Sequence, residues 1–379
     1  MRSSKAAAVA VLLCVMSLVA AACGGSSASP GSAGSPAPGG SSSAGATSPG
    51  GTTPAPSGST GPGSVTPSSG AAGEAPGAWT IGTTNASTNE RPVSCATPTY
   101  CLNPPNVWNG TTWAAMTAQP STGAPTIITC FAANDCRAMS NDNFNVWNGS
   151  TWKESKNFYS IGTTQGGVSI VSMSCPTTTF CAAADITYGY AFTWDGSKWS
   201  EPTTIDPAAA ANTAAVNAGS TSNLEYLSIA CASPAFCAAI DTDGNATTFN
   251  GTTWTKPVKV AAKPQGQAPP PLACPSATYC LASVAGGFTV WDGSSWSAPR
   301  SIAPAGFPAN NPAFGAVSCA GSTFCMVIGT PVTDWGIFNG STFLQGAKSV
   351  GIQQPSGLSC ATTDFCMTIG PYGYATWHP

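Results

Sequence analysis

Fourteen cysteines of this chain fall into seven pairs with a single spacing, Cys-x5-Cys, and no other feature constrains the fold so strongly. The pairs are Cys95 and Cys101, Cys130 and Cys136, Cys175 and Cys181, Cys231 and Cys237, Cys274 and Cys280, Cys319 and Cys325, and Cys360 and Cys366. Successive pairs lie 35, 45, 56, 43, 45 and 41 residues apart, which is the mark of a repeat architecture. An apolar and a small residue precede each first cysteine, as in Val93-Ser94, Ile128-Thr129 and Leu358-Ser359. An aromatic precedes the second cysteine in six repeats, and the second repeat departs with Asp135.

A second signature, aromatic-Asn/Asp-Gly-x-x-aromatic, follows in six of the repeats. It runs Trp108 to Trp113, Trp147 to Trp152, Trp194 to Trp199, Phe249 to Trp254, Trp291 to Trp296 and Phe338 to Phe343. Asn-Gly and Asp-Gly supply the positive φ angles of a tight hairpin turn, so the two aromatics begin to define a third and a fourth strand. The unit is a four-stranded antiparallel meander, whose first strand ends at the first cysteine and whose second starts at the second. The seventh repeat stops at Trp377 without a fourth strand, and Gly77-Ala78-Trp79-Thr80 supplies the missing pattern at the front. A ring closes its open edge in this way. The expected fold is all-β, a seven-bladed β-propeller over residues 77–379 closed by an N-terminal strand.

Cys-x5-Cys on adjacent antiparallel strands brings the Cα atoms to roughly 4.5–5.5 Å, which predicts seven disulfides, one within each pair. Closing so short a loop contributes on the order of 2 kcal/mol per bridge. Thiolate metal binding would need four converging ligands at shorter spacings, so no metal is expected. Sixteen cysteines also favour an oxidising compartment.

Residues 1–22 read as an export signal, with Arg2 and Lys5 ahead of an Ala-rich apolar run. The following Ala21-Ala22-Cys23-Gly24 resembles the lipobox of bacterial lipoproteins, especially those of actinobacteria. That resemblance implies lipidation of Cys23, and with it anchoring to the outer face of the cytoplasmic membrane. Residues 23–76 are almost entirely Gly, Ser, Ala, Pro and Thr, a composition that stays disordered and suits a tether.

Twelve Lys plus Arg against fifteen Asp plus Glu leave no basic cluster, which excludes a nucleic-acid partner. The single histidine, His378, excludes Ser-His-Asp triads and His-based zinc sites. No cofactor motif is present, and a monomer is expected. The hairpins between strands one and two, and between three and four, repeat closely. Connections between strands two and three, and between blades, share the opposite face and differ in every repeat, so this variable face is the expected binding surface. Candidate ligand contacts there are Phe158, Tyr159, Tyr188, Tyr190, Glu225 and Tyr226. Aromatics beside polar groups suit a glycan, a peptide or a protein partner. Packing between blades is the competing role for each of them.

The seven repeats together resemble the secreted, disulfide-stitched seven-bladed propellers of actinobacteria. Thr193-Trp194-Asp195-Gly196-Ser197-Lys198-Trp199 is similar, at greater distance, to the Asp-box of sialidase-like propellers, though one residue shorter. That likeness implies a glycoside hydrolase or lyase as the alternative function, and an envelope scaffold is a third. Sialidases gather three arginines, whereas Arg91, Arg137 and Arg300 occupy non-equivalent places in the repeats. A carboxylate pair for hydrolysis would have to come from Glu90, Asp142, Glu154, Asp206 or Glu225. Asp241-Thr242-Asp243-Gly244 has calcium-loop residues but suits a hairpin turn better. Catalysis is not expected.

Overall fold

The computed structural model describes residues 75–83, 92–140, 142–158, 168–217, 226–263, 269–285, 287–301, 315–329, 334–346, 349–371 and 373–379. Cys23, Tyr159, Glu225, Glu90 and Arg91 lie outside them. Seven separate antiparallel sheets follow one another along the chain. Blade one holds Ser94–Thr97, Tyr100–Asn103, Asn106–Trp108 and Trp113–Ala115. Blade two runs from Ile127 to Asn157, blade three from Ile170 to Thr204, and blade four from Leu227 to Lys259, each with four strands. Blade five has three continuous strands between Leu272 and Trp291. Its fourth pairs only at the bridges Trp291 to Trp296 and Phe288 to Arg300. Blade six spans Ala316 to Gln345. Blade seven combines Gly357–Thr362, Phe365–Gly370 and Gly373–His378 with the N-terminal strand Ala78–Gly82.

The terminal halves meet as the split repeat requires, with Trp79 directly opposite Trp377 in the ladder. First strands of neighbouring blades lie side by side all round, and the first strand of blade seven returns against that of blade one. The sheets therefore form a closed seven-bladed propeller. Each blade packs on the next through apolar faces: Val93, Cys101 and Trp108 of blade one meet Phe365, Met367 and Ile369 of blade seven. Fully burying side chains of this size stabilises by about 1.5–3 kcal/mol each.

All seven disulfides form, each within one hairpin. Cys95 is bonded to Cys101, Cys130 to Cys136, Cys175 to Cys181 and Cys231 to Cys237. Cys274 is bonded to Cys280, Cys319 to Cys325 and Cys360 to Cys366. The second cysteine of every bridge, Cys101, Cys136, Cys181, Cys237, Cys280, Cys325 and Cys366, is fully buried on the second strand of its blade. The Cα atoms stand 3.9–4.1 Å apart, closer than the spacing alone predicts. Such proximity belongs to pairs that exchange no backbone hydrogen bonds across the ladder. The strands also overrun the cysteines: the first continues two residues past its cysteine through a bulge, and the second begins one residue early, at Tyr100 in blade one.

Non-hydrogen-bonded pairing turns the N–H of each first cysteine away from its own hairpin, toward the neighbouring blade. Serine meets it there. Ser94 Oγ accepts from Cys130 N, Ser174 Oγ from Cys231 N, Ser318 Oγ from Cys360 N, and Ser359 Oγ from Cys95 N, all at 2.9 Å. In these four blades the serine before the first cysteine thus satisfies the exposed edge of the next blade, whereas Ala230 and Ala273 hold the same position in blades four and five without a hydroxyl.

In blades three, four and five the fourth strand carries Trp-Ser/Thr-x-Pro: Trp199 to Pro202, Trp254 to Pro257 and Trp296 to Pro299. Proline cannot donate to a ladder. Ahead of that break a hydroxyl takes the place of a carbonyl acceptor: Ser200 Oγ, Thr255 Oγ1 and Ser297 Oγ accept from the backbone N–H of Thr193, Thr248 and Val290 at 3.0–3.1 Å. The ladder resumes beyond the proline.

Candidate functional site

The six aromatic-to-aromatic hairpins share one construction. The two rings face each other across the ladder, as Trp147 and Trp152 do with centroids 5.2 Å apart. Between them Asn148 Oδ1 accepts from the backbone N–H of Ser150 and Thr151. Asn109, Asp195, Asn250, Asp292 and Asn339 repeat that arrangement. Only the glycine takes a positive φ, between 92° and 97° in all six. The turn is therefore a side-chain-capped four-residue loop and not the two-residue mirror-image turn that Asn-Gly suggests. This face is uniform and its polar side chains are largely committed to the turns.

The opposite face is built differently. Its connections are ordered by carboxylates that accept backbone N–H groups. Asp185 closes the connection of blade three, its oxygens accepting from Ser169 N and Tyr188 N at 2.7 Å each. Asp142, at φ 61°, reaches from blade two to Ile170 N at 2.8 Å. Asp241 accepts both the backbone and side-chain nitrogens of Asn245 at 2.8 Å. Burial is the largest influence on all three and raises their pKa values despite these bonds. The Asp241–Gly244 segment is a turn, with Gly244 at φ 80° donating to Asp241 O, and Asp243 pairs with Lys263. Among the described residues no three His, Cys, Asp or Glu side chains gather as they would around a metal ion.

Between blades three and four the connection forms a helix, Pro207–Asn217, within a segment that the sequence marks only as variable. Asp206 caps it, its Oδ1 accepting from Ala208 N at 3.0 Å, and Pro207 occupies the first turn. The other oxygen, Oδ2, is buried without a partner among the described residues. Asp206 and Asp241 line one cavity with Ile205, Leu227, Ile240 and Asn245, about 10 Å³ in volume. That is room for one water, and a sugar ring does not fit. The geometry of an open carboxylate pair is not found here.

The aromatic candidates separate. Phe158 is fully buried, wedged against Trp199 at 4.7 Å and Phe192 at 5.2 Å, so it is a core residue and not a ligand contact. Tyr188 and Tyr190 stack at 5.4 Å with 27° between their planes, half-buried on the same cluster. Tyr226 is also half-buried, and its backbone exchanges hydrogen bonds with Thr242. Tyr159 and Glu225 fall outside the described residues. The stacked tyrosines, held over Phe192 and fixed by Asp185, are the shelf that this face presents.

No protein-family model matches the chain. No curated protein matches it either. Solved structures do, at the level of fold. YCF48 bound to D1 peptide superposes with a TM-score of 0.54 and 12% identity, covering 82% of this chain and 99% of that one. Virginiamycin B lyase from Staphylococcus aureus gives 0.54 and 8%, covering 80% of this chain and all of the other. A catalytically inactive histidine-to-alanine variant of that lyase with quinupristin gives 0.54 and 7%, with the same coverage.

Proposed function

We propose that this chain is an extracytoplasmic binding module, lipid-tethered at Cys23, whose connection face takes a peptide or protein partner without catalysis. The tether and lipid rest on residues 1–76 of the sequence. The observation carrying the binding role is the Tyr188–Tyr190 stack, two rigid amphipathic rings preset over a packed core. Preset aromatics lose little freedom on binding, which is why such rings concentrate affinity at interfaces. The carboxylates Asp185 and Asp142 support the reading, because their oxygens are engaged by backbone N–H groups of the connections. YCF48 offers a precedent on this architecture, having been solved with a D1 peptide. The lyase parallel is weaker. One of its variants is inactive after loss of a histidine, while the single histidine here, His378, packs on Phe365 at the end of the last strand.

The test is a peptide array, run beside glycan arrays and a glycosidase and lyase panel. Peptide binding that falls roughly tenfold or more in Tyr190→Ala, with unchanged circular dichroism, supports the role. Turnover without peptide binding overturns it. Metabolic labelling with a palmitate analogue tests the anchor, which requires incorporation to vanish in Cys23→Ala.

A further inference from the structure

Two positions flanking the second cysteine follow one rule in six blades. An aromatic comes before it and a buried apolar residue after it: Leu102, Ala182, Ala238, Leu281, Met326 and Met367, none above 1% exposed. Blade two breaks the rule at both positions together, with Asp135 before and Arg137 after. The two side chains form an ion pair, and Arg137 is 7% exposed. Its Nη1 also donates to Cys136 O at 3.1 Å, and its Nη2 crosses to blade three, donating to Thr178 O at 2.8 Å. The guanidinium stands 5.7 Å from the Phe131 ring centroid. The Nε–H is buried and finds no acceptor among the described residues.

A buried ion pair is commonly no more stabilising than apolar residues of similar size, and the sister blades show what those residues are. Folding alone does not account for the exchange. Arg137 lines a groove of about 350 Å³ between blades two and three, together with Val146, Lys153, Glu154, Trp194 and Ser197. Lys153 and Glu154 are exposed, and Glu154 accepts from Ser121 Oγ at 3.1 Å. Arg137, Val146 and Lys153 lie opposite one another across the strands and share the side facing blade three, so the groove gathers a guanidinium and an ammonium. Glu154 alternates to the other side of its strand, where its carboxylate meets Ser121. Thr178 and Ser197 belong to the hairpins, so this groove opens away from the connection face and is independent of the tyrosine shelf.

We propose that the blade two–three groove binds the carboxylate terminus of a peptide, with Arg137 Nε and Lys153 Nζ as donors to it. Two cations on one side favour a carboxylate, and the size of the groove favours one carried on a peptide over a simple anion. A volume of about 350 Å³ accommodates two or three small residues.

The experiment titrates the full chain with N-acetyl-Gly-Gly as the free acid and as the carboxamide, following tryptophan fluorescence, with sodium acetate as a third arm. The acid is expected to bind about tenfold tighter than the amide. In the double variant Asp135→Phe, Arg137→Met, which restores the sister-blade pattern, that preference is lost while the melting temperature is kept. Lys153→Ala, at an exposed position, gives a partial loss and keeps the test decisive should the double variant misfold. Equal affinity for acid and amide overturns the proposal, as does a preference that survives undiminished in either variant. Acetate competing as well as the peptide acid also overturns it.

Discussion

Ser359 Oγ in blade seven accepts the backbone N–H of Cys95 in blade one at 2.9 Å, so the seam between the last and first blades is bonded like three others, those of Ser94, Ser174 and Ser318. Removing that hydroxyl leaves the N–H at a part-buried edge with nothing to meet it. Ser359→Ala should cost about 1 kcal/mol in urea unfolding, with Ser94→Ala similar. A change below the error of the measurement would assign these bonds no energetic role.

The N-terminal strand supplies a second closure. Ala75 N donates to Gln345 O of blade six at 2.7 Å, and the Trp79 ring lies edge-on to Trp335 at 6.1 Å. Deleting the chain through residue 83 uncovers the edge of Gly373–His378 and the Trp377 ring, which is 1% exposed in the intact protein. Light scattering should then report self-association, and a synthetic peptide of residues 75–83 should reverse it. A truncated chain that stays monomeric and equally stable would argue against the clasp.

Gly149 and Gly321 form an internal comparison. Gly149 sits at φ 94°, and an added Cβ would meet Asn134 Cβ at 2.9 Å, while at Gly321 nothing lies within 4 Å. Gly149→Ala is expected to destabilise by about 1–2 kcal/mol. Gly321→Ala should stay within roughly 0.5 kcal/mol. Equal effects in thermal unfolding would contradict the turn geometry.

The Asp206–Asp241 pair sets a pH dependence. Burial, and then the charge of Asp206, are among the causes that raise the pKa of Asp241. A carboxyl with a raised pKa holds its proton more tightly when folded, so it lowers stability as pH rises from about 4 through the folded value. Asp206→Asn keeps the Oδ1 cap, removes the like charge and should flatten that slope. Stability at pH 7 is expected to rise by on the order of 1 kcal/mol. An unchanged slope would mean that the two acids do not interact.

Asp292 shows the reverse case. Backbone and side-chain N–H and O–H donors from Ser294 and Ser295 hold its exposed carboxyl down to about 2. Its contribution is therefore present above pH 4 and disappears as pH falls toward 2. Carbon-detected NMR titration should place the midpoint well below that of an ordinary aspartate.

Sequence spacing was enough for the ring, because paired cysteines and paired aromatics recur at fixed offsets and each offset is a local strand relationship. Contacts between blades were harder to read. Ser94 meets Cys130 36 positions away and Ser359 meets Cys95 264 positions away, so in the sequence these serines, which alternate with Thr129, Ala230 and Ala273 at the same place, read merely as small residues. Phe158 looked like a loop aromatic because nothing local shows that its connection folds back onto Trp199. Asp206-Pro207 followed by alanines was a legible helix start, hidden by its place in an otherwise variable connection. The departure at Asp135 was visible, but its partner Arg137 emerges only when the strand puts both on one side.

Closing the ring with its first strand has a mechanical consequence. Traction on the chain ahead of Ala75 meets the bond to Gln345 and then the five residue pairs that fasten the strand, Ala78–His378 to Gly82–Tyr374. Sustained load would unbuckle blade seven first, and leave the six cystine-pinned neighbours to follow.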